Sequence, residues 1–195
     1  MTELLFATNN AHKVTEVQAA VGDLFQIIAL KQAGIVIDIP EPHATLEENA
    51  VEKSMTIFTL TGKSCFSEDT GLEVDALNGE PGVQSARYAG ENRSDSENIH
   101  KLLHKLDGNP NRSARFKTIV SLILSGKQYH FEGICKGTIR YAPVGSEGFG
   151  YDPVFQPDGS NNTFAEMTVE EKGDYSHRKK AIAKLVAFLQ QVNLP

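Results

Sequence analysis

What the 195-residue sequence lacks narrows it first. It has only two cysteines, Cys65 and Cys135, in no CxxC or zinc-like spacing. That removes disulfide scaffolds and zinc ribbons and leaves unpaired, buried thiols in a reducing cytoplasm as the economical reading. "MTELLFATNN" carries an acid and a very short apolar run, so it reads as neither a signal peptide nor a membrane span, and no membrane partner is expected. Positive charge is in deficit: 19 Lys and Arg stand against 25 Asp and Glu, a net charge of -6. Nucleic acids need a basic face that neutralises phosphates, so no nucleic-acid partner is expected either. A small anionic ligand stays compatible if lysines are focused locally or a cation helps. The GxxxxGK[ST] phosphate loop is absent, and Gly145, Gly148 and Gly150 are wrongly spaced for GxGxxG. "HKLLH", from His100 to His104, lacks the glutamate of HExxH, and GxSxG is missing. No repeat or low-complexity tract appears.

What is present is ordinary for a folded chain: 40% hydrophobic and 23% charged residues, enough for one sizeable domain or two small lobes sharing a sheet. "ELLFAT" reads as a buried strand, and Val14, Val17, Val21 and Leu24 follow at helical spacing after the turn "NNAHK". Thr45 and Glu48 fit a capping box for a helix running to about Gly62. "SCFS" is expected as a short strand ending on Glu68-Asp69, with "LEVDAL" a further segment stopping at the turn Asn78-Gly79. Ser94 and Glu97 form a second capping box ahead of Ile99, Leu102, Leu103 and Leu106. "RFKTIVSLIL", nearly continuous in apolar residues, predicts a central strand, and "QYHFEGICKGTIR" its antiparallel neighbour. Ala181, Ile182, Leu185, Val186, Leu189 and Val192 predict an amphipathic final helix. The pattern is that of an α/β protein with a mixed sheet.

Four places could carry chemistry. In "TNNAHK" a helix starts directly after a strand, presenting backbone N–H groups and a positive dipole end that suit phosphate. Thr8, Asn9, Asn10 and Lys13 add hydrogen bonds and charge, although plain capping by Asn9 or Asn10 with Lys13 solvated accounts for the segment taken alone. Glu68 and Asp69 repel each other, so they are either an acidic turn facing water or hard-oxygen ligands for Mg²⁺, with Glu41 a possible third carboxylate. The last helix opens on Ser176-His177-Arg178-Lys179-Lys180, cations at the end where anions are favoured, which makes sense if an anion or carbonyl ligand sits there. "GFGYDP" could let backbone approach a flat ring with Phe149 or Tyr151 stacking on it, or be a bulged strand entry with a core aromatic.

Taken in order, "FATNNAHK", "EENAVEKS", "EDTGLEVDALNGEPGVQSARYAG", "GFGYDPVF" and "SHRKKA" resemble the motifs of the inosine triphosphate pyrophosphatase family over nearly the whole chain. Two departures stand out: Asn9 where the family usually has Gly, and Glu68-Asp69-Thr70 where it often has Asp-Asp-Ser. The resemblance implies one domain over residues 1–195, a two-lobed α/β fold around a long curved mixed sheet with a cleft between the lobes, and a homodimer. It implies Mg²⁺-dependent hydrolysis of ITP, dITP or XTP to monophosphate and pyrophosphate, protecting the nucleotide pool. By motif, Thr8, Asn9, Asn10, Ala11, His12 and Lys13 would hold the triphosphate. Asp69 would bind Mg²⁺ and accept the proton of the attacking water, with Glu41 and Glu68 completing the metal shell. Thr70 would contact substrate, Lys53 and Lys172 would neutralise phosphate, and Phe149, Gly150, Tyr151, Asp152, His177 and Arg178 would hold sugar and base. A septum-associated type nucleotide pyrophosphatase and a nucleotide sensor without turnover are the alternatives weighed against it.

Overall fold

The computed structural model describes residues 2–192. The main elements in chain order are β1 (Thr2–Phe6), α1 (Ala11–Val21), β2 (Phe25–Ala29), α2 (Leu46–Thr61), β3 (Cys65–Val74), β4 (Pro81–Gly82), α3 (Asp95–Lys105), β5 (Ser113–Leu124), β6 (Lys127–Ile139), β7 (Phe155–Pro157), α4 (Val169–Tyr175) and α5 (His177–Gln191). The strands run β2-β1-β3-β5-β6-β7, with β4 paired to β3. The sheet is mixed: β1 is parallel to β2 and β3, whereas β4 is antiparallel to β3 and β7 to β6. The nearly unbroken apolar run of β5 sits where it is expected, between β3 and β6.

The chain divides into two compact units. One holds the described residues up to Asp69, Thr118–Gly133 and those from Arg178 onward. Its main core gathers Phe6, Val17, Phe66, Val120, Leu122, Ile182 and Leu185, with the rings of Phe6 and Phe66 stacked at 4.4 Å. The apolar stripe of α5 is buried here, as its 3.6-residue period requires. The other unit is Thr70–Lys117 with Ile134–His177. Its core gathers Leu72, Val74, Leu102, Leu106, Phe116, Val154, Phe155 and Phe164.

Local rules set most boundaries. Thr45 caps α2 by accepting the Glu48 N–H, and Gly62, in the left-handed region at φ 65, ends it. Ser94 caps α3 in the same way. Three expectations need correction. Leu24 is not on the helical stripe: α1 stops at Val21, Gly22 turns the chain, and Leu24 is exposed. Val192 lies past the end of α5 and is likewise exposed. The acids Glu68 and Asp69 do not close a strand; β3 continues through them to Val74. The strand can do so because cations from three other segments meet the two carboxylates. The sequence reading also passed over β2, whose five residues carry only a short apolar pattern, and α4, whose capping box is Thr168 with Glu171.

Candidate functional site

The middle of β3 places Glu68 and Asp69 on opposite sides of the strand, since successive side chains alternate. Both are buried. Removing a carboxylate from water costs several kcal/mol unless cations and hydrogen bonds answer it. For Glu68 the answer comes from α5 and α1. Arg178 Nε lies 3.0 and 2.9 Å from the two carboxylate oxygens, and Lys13 Nζ is 3.1 Å from Oε1. Arg178 Nη1 also pairs with Glu16 of α1. Burial by itself would raise the Glu68 pKa, but Arg178 and Lys13 outweigh it and hold the carboxyl down at about 2. The charge of Arg178 is correspondingly secured, its pKa raised by Glu68 and Glu16 against the opposing effect of burial. The cation that seemed misplaced at the start of α5 is thus explained inside the fold: it meets Glu68 directly.

Asp69 faces a different cation. Lys53 Nζ, buried on α2, lies 2.8 Å from Asp69 Oδ1 and 2.6 Å from Glu41 Oε1. Burial pushes the Asp69 pKa above the ordinary carboxyl range, against the pull of Lys53 and Lys13. Lys53 is held above its ordinary value, because Asp69 and Glu41 more than offset its own desolvation. A buried carboxyl with a raised pKa is a stronger proton acceptor than an exposed one.

The strand–turn–helix segment is built as expected. Asn10 caps α1, its side chain accepting the Lys13 N–H at 3.2 Å, and its own N–H donates to Thr8 Oγ1 at 3.2 Å. Asn9 is drawn elsewhere: its amide donates to Ile37 O at 3.1 Å. Ala11 and His12 form the exposed first turn of α1.

The second unit carries the aromatic group of candidates. Asp152 is buried, and its Oδ2 accepts from Lys172 Nζ at 2.6 Å and from the Phe149 N–H at 2.9 Å. Lys172 Nζ also lies 5.2 Å from the centre of the Phe149 ring. Gly148 is in the left-handed region at φ 76, and a Cβ there would come within 2.1 Å of Asp152 Oδ2, so only glycine leaves room for this carboxylate. Gly150 and Tyr151 follow in the same turn, and the Tyr151 hydroxyl donates to Ser85 O at 2.8 Å. His177 is buried with its ring stacked on Phe116 at 4.6 Å. Thr70 is half-buried on β3.

For a divalent cation, the donor set is informative. Among the described residues no group of three His, Cys, Asp or Glu side chains is gathered for a metal. Glu68 has both oxygens committed to Arg178, which sets it apart from the other two acids assigned to Mg²⁺. Glu41 and Asp69, in contrast, converge on one positive group, the Lys53 ammonium. Two hard carboxylates meeting at a cation fit Mg²⁺, which commonly takes one or two protein carboxylates and completes its shell with water and substrate phosphate.

Sequence reasoning missed Glu16, which is 162 residues from Arg178 in the chain and looks like any acid on an amphipathic helix. It also missed Asp95, which reads as a helix-opening acid and whose Oδ2 accepts the Gly150 N–H at 2.7 Å.

The chain is similar to known proteins over nearly its whole length. Residues 4–188 match the model of the Ham1 family. A dITP/XTP pyrophosphatase of Flavobacterium psychrophilum is 47% identical over 188 residues, 96% of this chain and 99% of the relative. One of Porphyromonas gingivalis is 46% identical over 190 residues, 97% of this chain and 98% of the relative. Among solved structures, the Staphylococcus aureus Ham1 protein superposes with a TM-score of 0.87 at 39% identity, covering 98% of this chain and all of the other. A HAM1 protein from Coxiella burnetii gives 0.88 at 36% identity, with the same coverage.

Proposed function

The chain belongs to the Ham1 family, and we propose that it hydrolyses ITP, dITP and XTP to the nucleoside monophosphate and pyrophosphate, using Mg²⁺ and so clearing these nucleotides from the pool. The names of its relatives support the activity, which they carry as dITP/XTP pyrophosphatases at 46 to 47% identity over nearly the full chain. The observation that carries the chemistry is Asp69: a buried carboxylate with a raised pKa, flanked by Lys53 and a second carboxylate, Glu41.

In this reading a water attacks the α-phosphorus, Asp69 accepts its proton, the bond between the α-phosphorus and the bridging oxygen breaks, and pyrophosphate leaves. Phosphoryl transfer asks mainly for positioning and charge neutralisation, and the lysines supply both. Lys13, fixed by Glu68, and the first turn of α1 behind Thr8, Asn9 and Asn10 receive phosphate oxygens; the dipole at a helix start favours anions. Asp69 and Glu41 are the residues that would hold Mg²⁺. When bound, Mg²⁺ supplies positive charge that polarises the anhydride and stabilises the leaving group. Lys53, beside both carboxylates, would neutralise substrate phosphate. Thr70 contacts substrate. The ring of Phe149, the Gly150-Tyr151 backbone, the Asp152–Lys172 pair and His177 recognise sugar and base. Arg178, paired with Glu68 through Nε and with Glu16 through Nη1, would also contact the base. Homodimer assembly is carried by the resemblance, and a cytoplasmic location by the two buried cysteines, which form no disulfide.

The test is incubation with ITP, dITP, XTP, GTP and ATP, with and without Mg²⁺, separating pyrophosphate from orthophosphate. Pyrophosphate from the first three substrates, faster than from ATP and only with the cation, is the expected result. Orthophosphate as product, or equal use of ATP, refutes the assignment.

A further inference from the structure

The turn from Phe149 to Asp152 is shaped by hydrogen bonds more than by its own backbone preference. Gly148 and Gly150 both sit at positive φ, 76 and 62, where glycine is free to take several conformations. What selects this one is contact within the same unit. On one side Asp152 Oδ2 accepts the Phe149 N–H. On the other, Asp95 Oδ2 accepts the Gly150 N–H at 2.7 Å, and the Tyr151 hydroxyl reaches Ser85 O. Asp95 is exposed yet well placed, because its helix is anchored one turn on. The buried Asn98 accepts the Ala89 N–H at 2.7 Å and donates to Ala86 O at 3.1 Å. The start of α3 is thereby fixed against the 86–89 segment, and Asp95 extends that fixed point to the Gly150 peptide.

We propose that Asp95 is a positioning residue for base recognition: its carboxylate orients the Gly150 peptide and so sets where the Phe149 ring and the Asp152–Lys172 pair stand. The inference rests on the reading of this turn as the base-binding element. Asp95 also has an ordinary reason to be where it is, since an acid in the first turn of a helix favours the dipole. Substitutions separate the two roles. Asp95→Asn removes the charge that serves the dipole but keeps a side-chain oxygen in place for the Gly150 N–H. Asp95→Ala removes both. Asp95→Glu keeps the charge and displaces the acceptor by one methylene.

The experiment measures KM and kcat for ITP, the ITP-over-ATP ratio of kcat/KM, melting temperature, and amide exchange of the peptides covering 148–152. Losing one hydrogen bond to a recognition loop corresponds to about a tenfold effect. Asp95→Ala is expected to raise KM for ITP about tenfold, lower the ITP-over-ATP ratio similarly, leave kcat within about twofold and speed exchange across 148–152. Asp95→Asn stays close to the parent, and Asp95→Glu raises KM without lowering the melting temperature. Unchanged KM and exchange in Asp95→Ala overturn the proposal. So does equal impairment of Asn and Ala, which would assign the effect to helix charge. A parent protein that does not hydrolyse ITP refutes the functional reading itself, a failure seen before any variant is compared.

Discussion

Glu68 offers the sharpest quantitative test of the structure. Its carboxyl is held at about 2, against an ordinary value of 4.5, by Arg178 and Lys13. A pKa that is lower in the folded state stabilises the fold above the unfolded value, and that contribution is lost as pH falls toward the folded value. At about 1.4 kcal/mol per pH unit, the ionised group contributes about 3 kcal/mol at pH 7, about 1 kcal/mol at pH 3 and almost nothing at pH 2. Glu68→Gln keeps the shape and removes the charge, leaving Arg178 with Glu16 as its partner acid. Urea unfolding followed by circular dichroism, on parent and variant from pH 7 to pH 3, reads the difference and cancels the other carboxyl groups. The variant is expected to be about 3 kcal/mol less stable at pH 7, with the gap closing by roughly 2 kcal/mol at pH 3. A gap that is the same at both pH values would show that the Arg178–Glu68–Lys13 network does not hold this charge, and the account of the buried strand would fail with it.

Two further outcomes concern Asp69. Asp69→Asn is expected to keep the fold and bind ITP in calorimetry while losing about 10²- to 10⁴-fold in kcat, and near-normal turnover would mean that the proton acceptor lies elsewhere. Lys53→Met removes the cation that lowers the Asp69 pKa, so that pKa rises further. Because the proton acceptor works only when ionised, the acid limb of the pH–rate profile should move to higher pH, and a shift to lower pH contradicts the geometry.

Particular residues show how far the sequence could be read. Thr45 with Glu48, Gly62, Ser94 and Asn10 are local signals, complete within four or five residues, and each appears in the fold as a cap or a stop. The apolar run of β5 and the stripe of α5 were legible for the same reason. The Glu68-Asp69 pair was visible as an oddity, but its setting was not. Alternation along β3 sends one carboxylate to Arg178 and Lys13 and the other to Lys53, and no spacing rule links positions 110 residues apart. The same gap hid Glu16 and Asp95, which resemble surface acids until their partners are known.

By itself, then, the sequence determined most of the elements, several of their caps and the order of the motifs, because hydrophobic period and hydrogen-bond capping act over a few residues. Only the tertiary structure decided which cation answers which acid. A buried charge is settled by whatever lies across the fold from it, and the chain brings those groups together from distant segments: Arg178 and Lys13 for Glu68, Lys53 for Asp69 and Glu41.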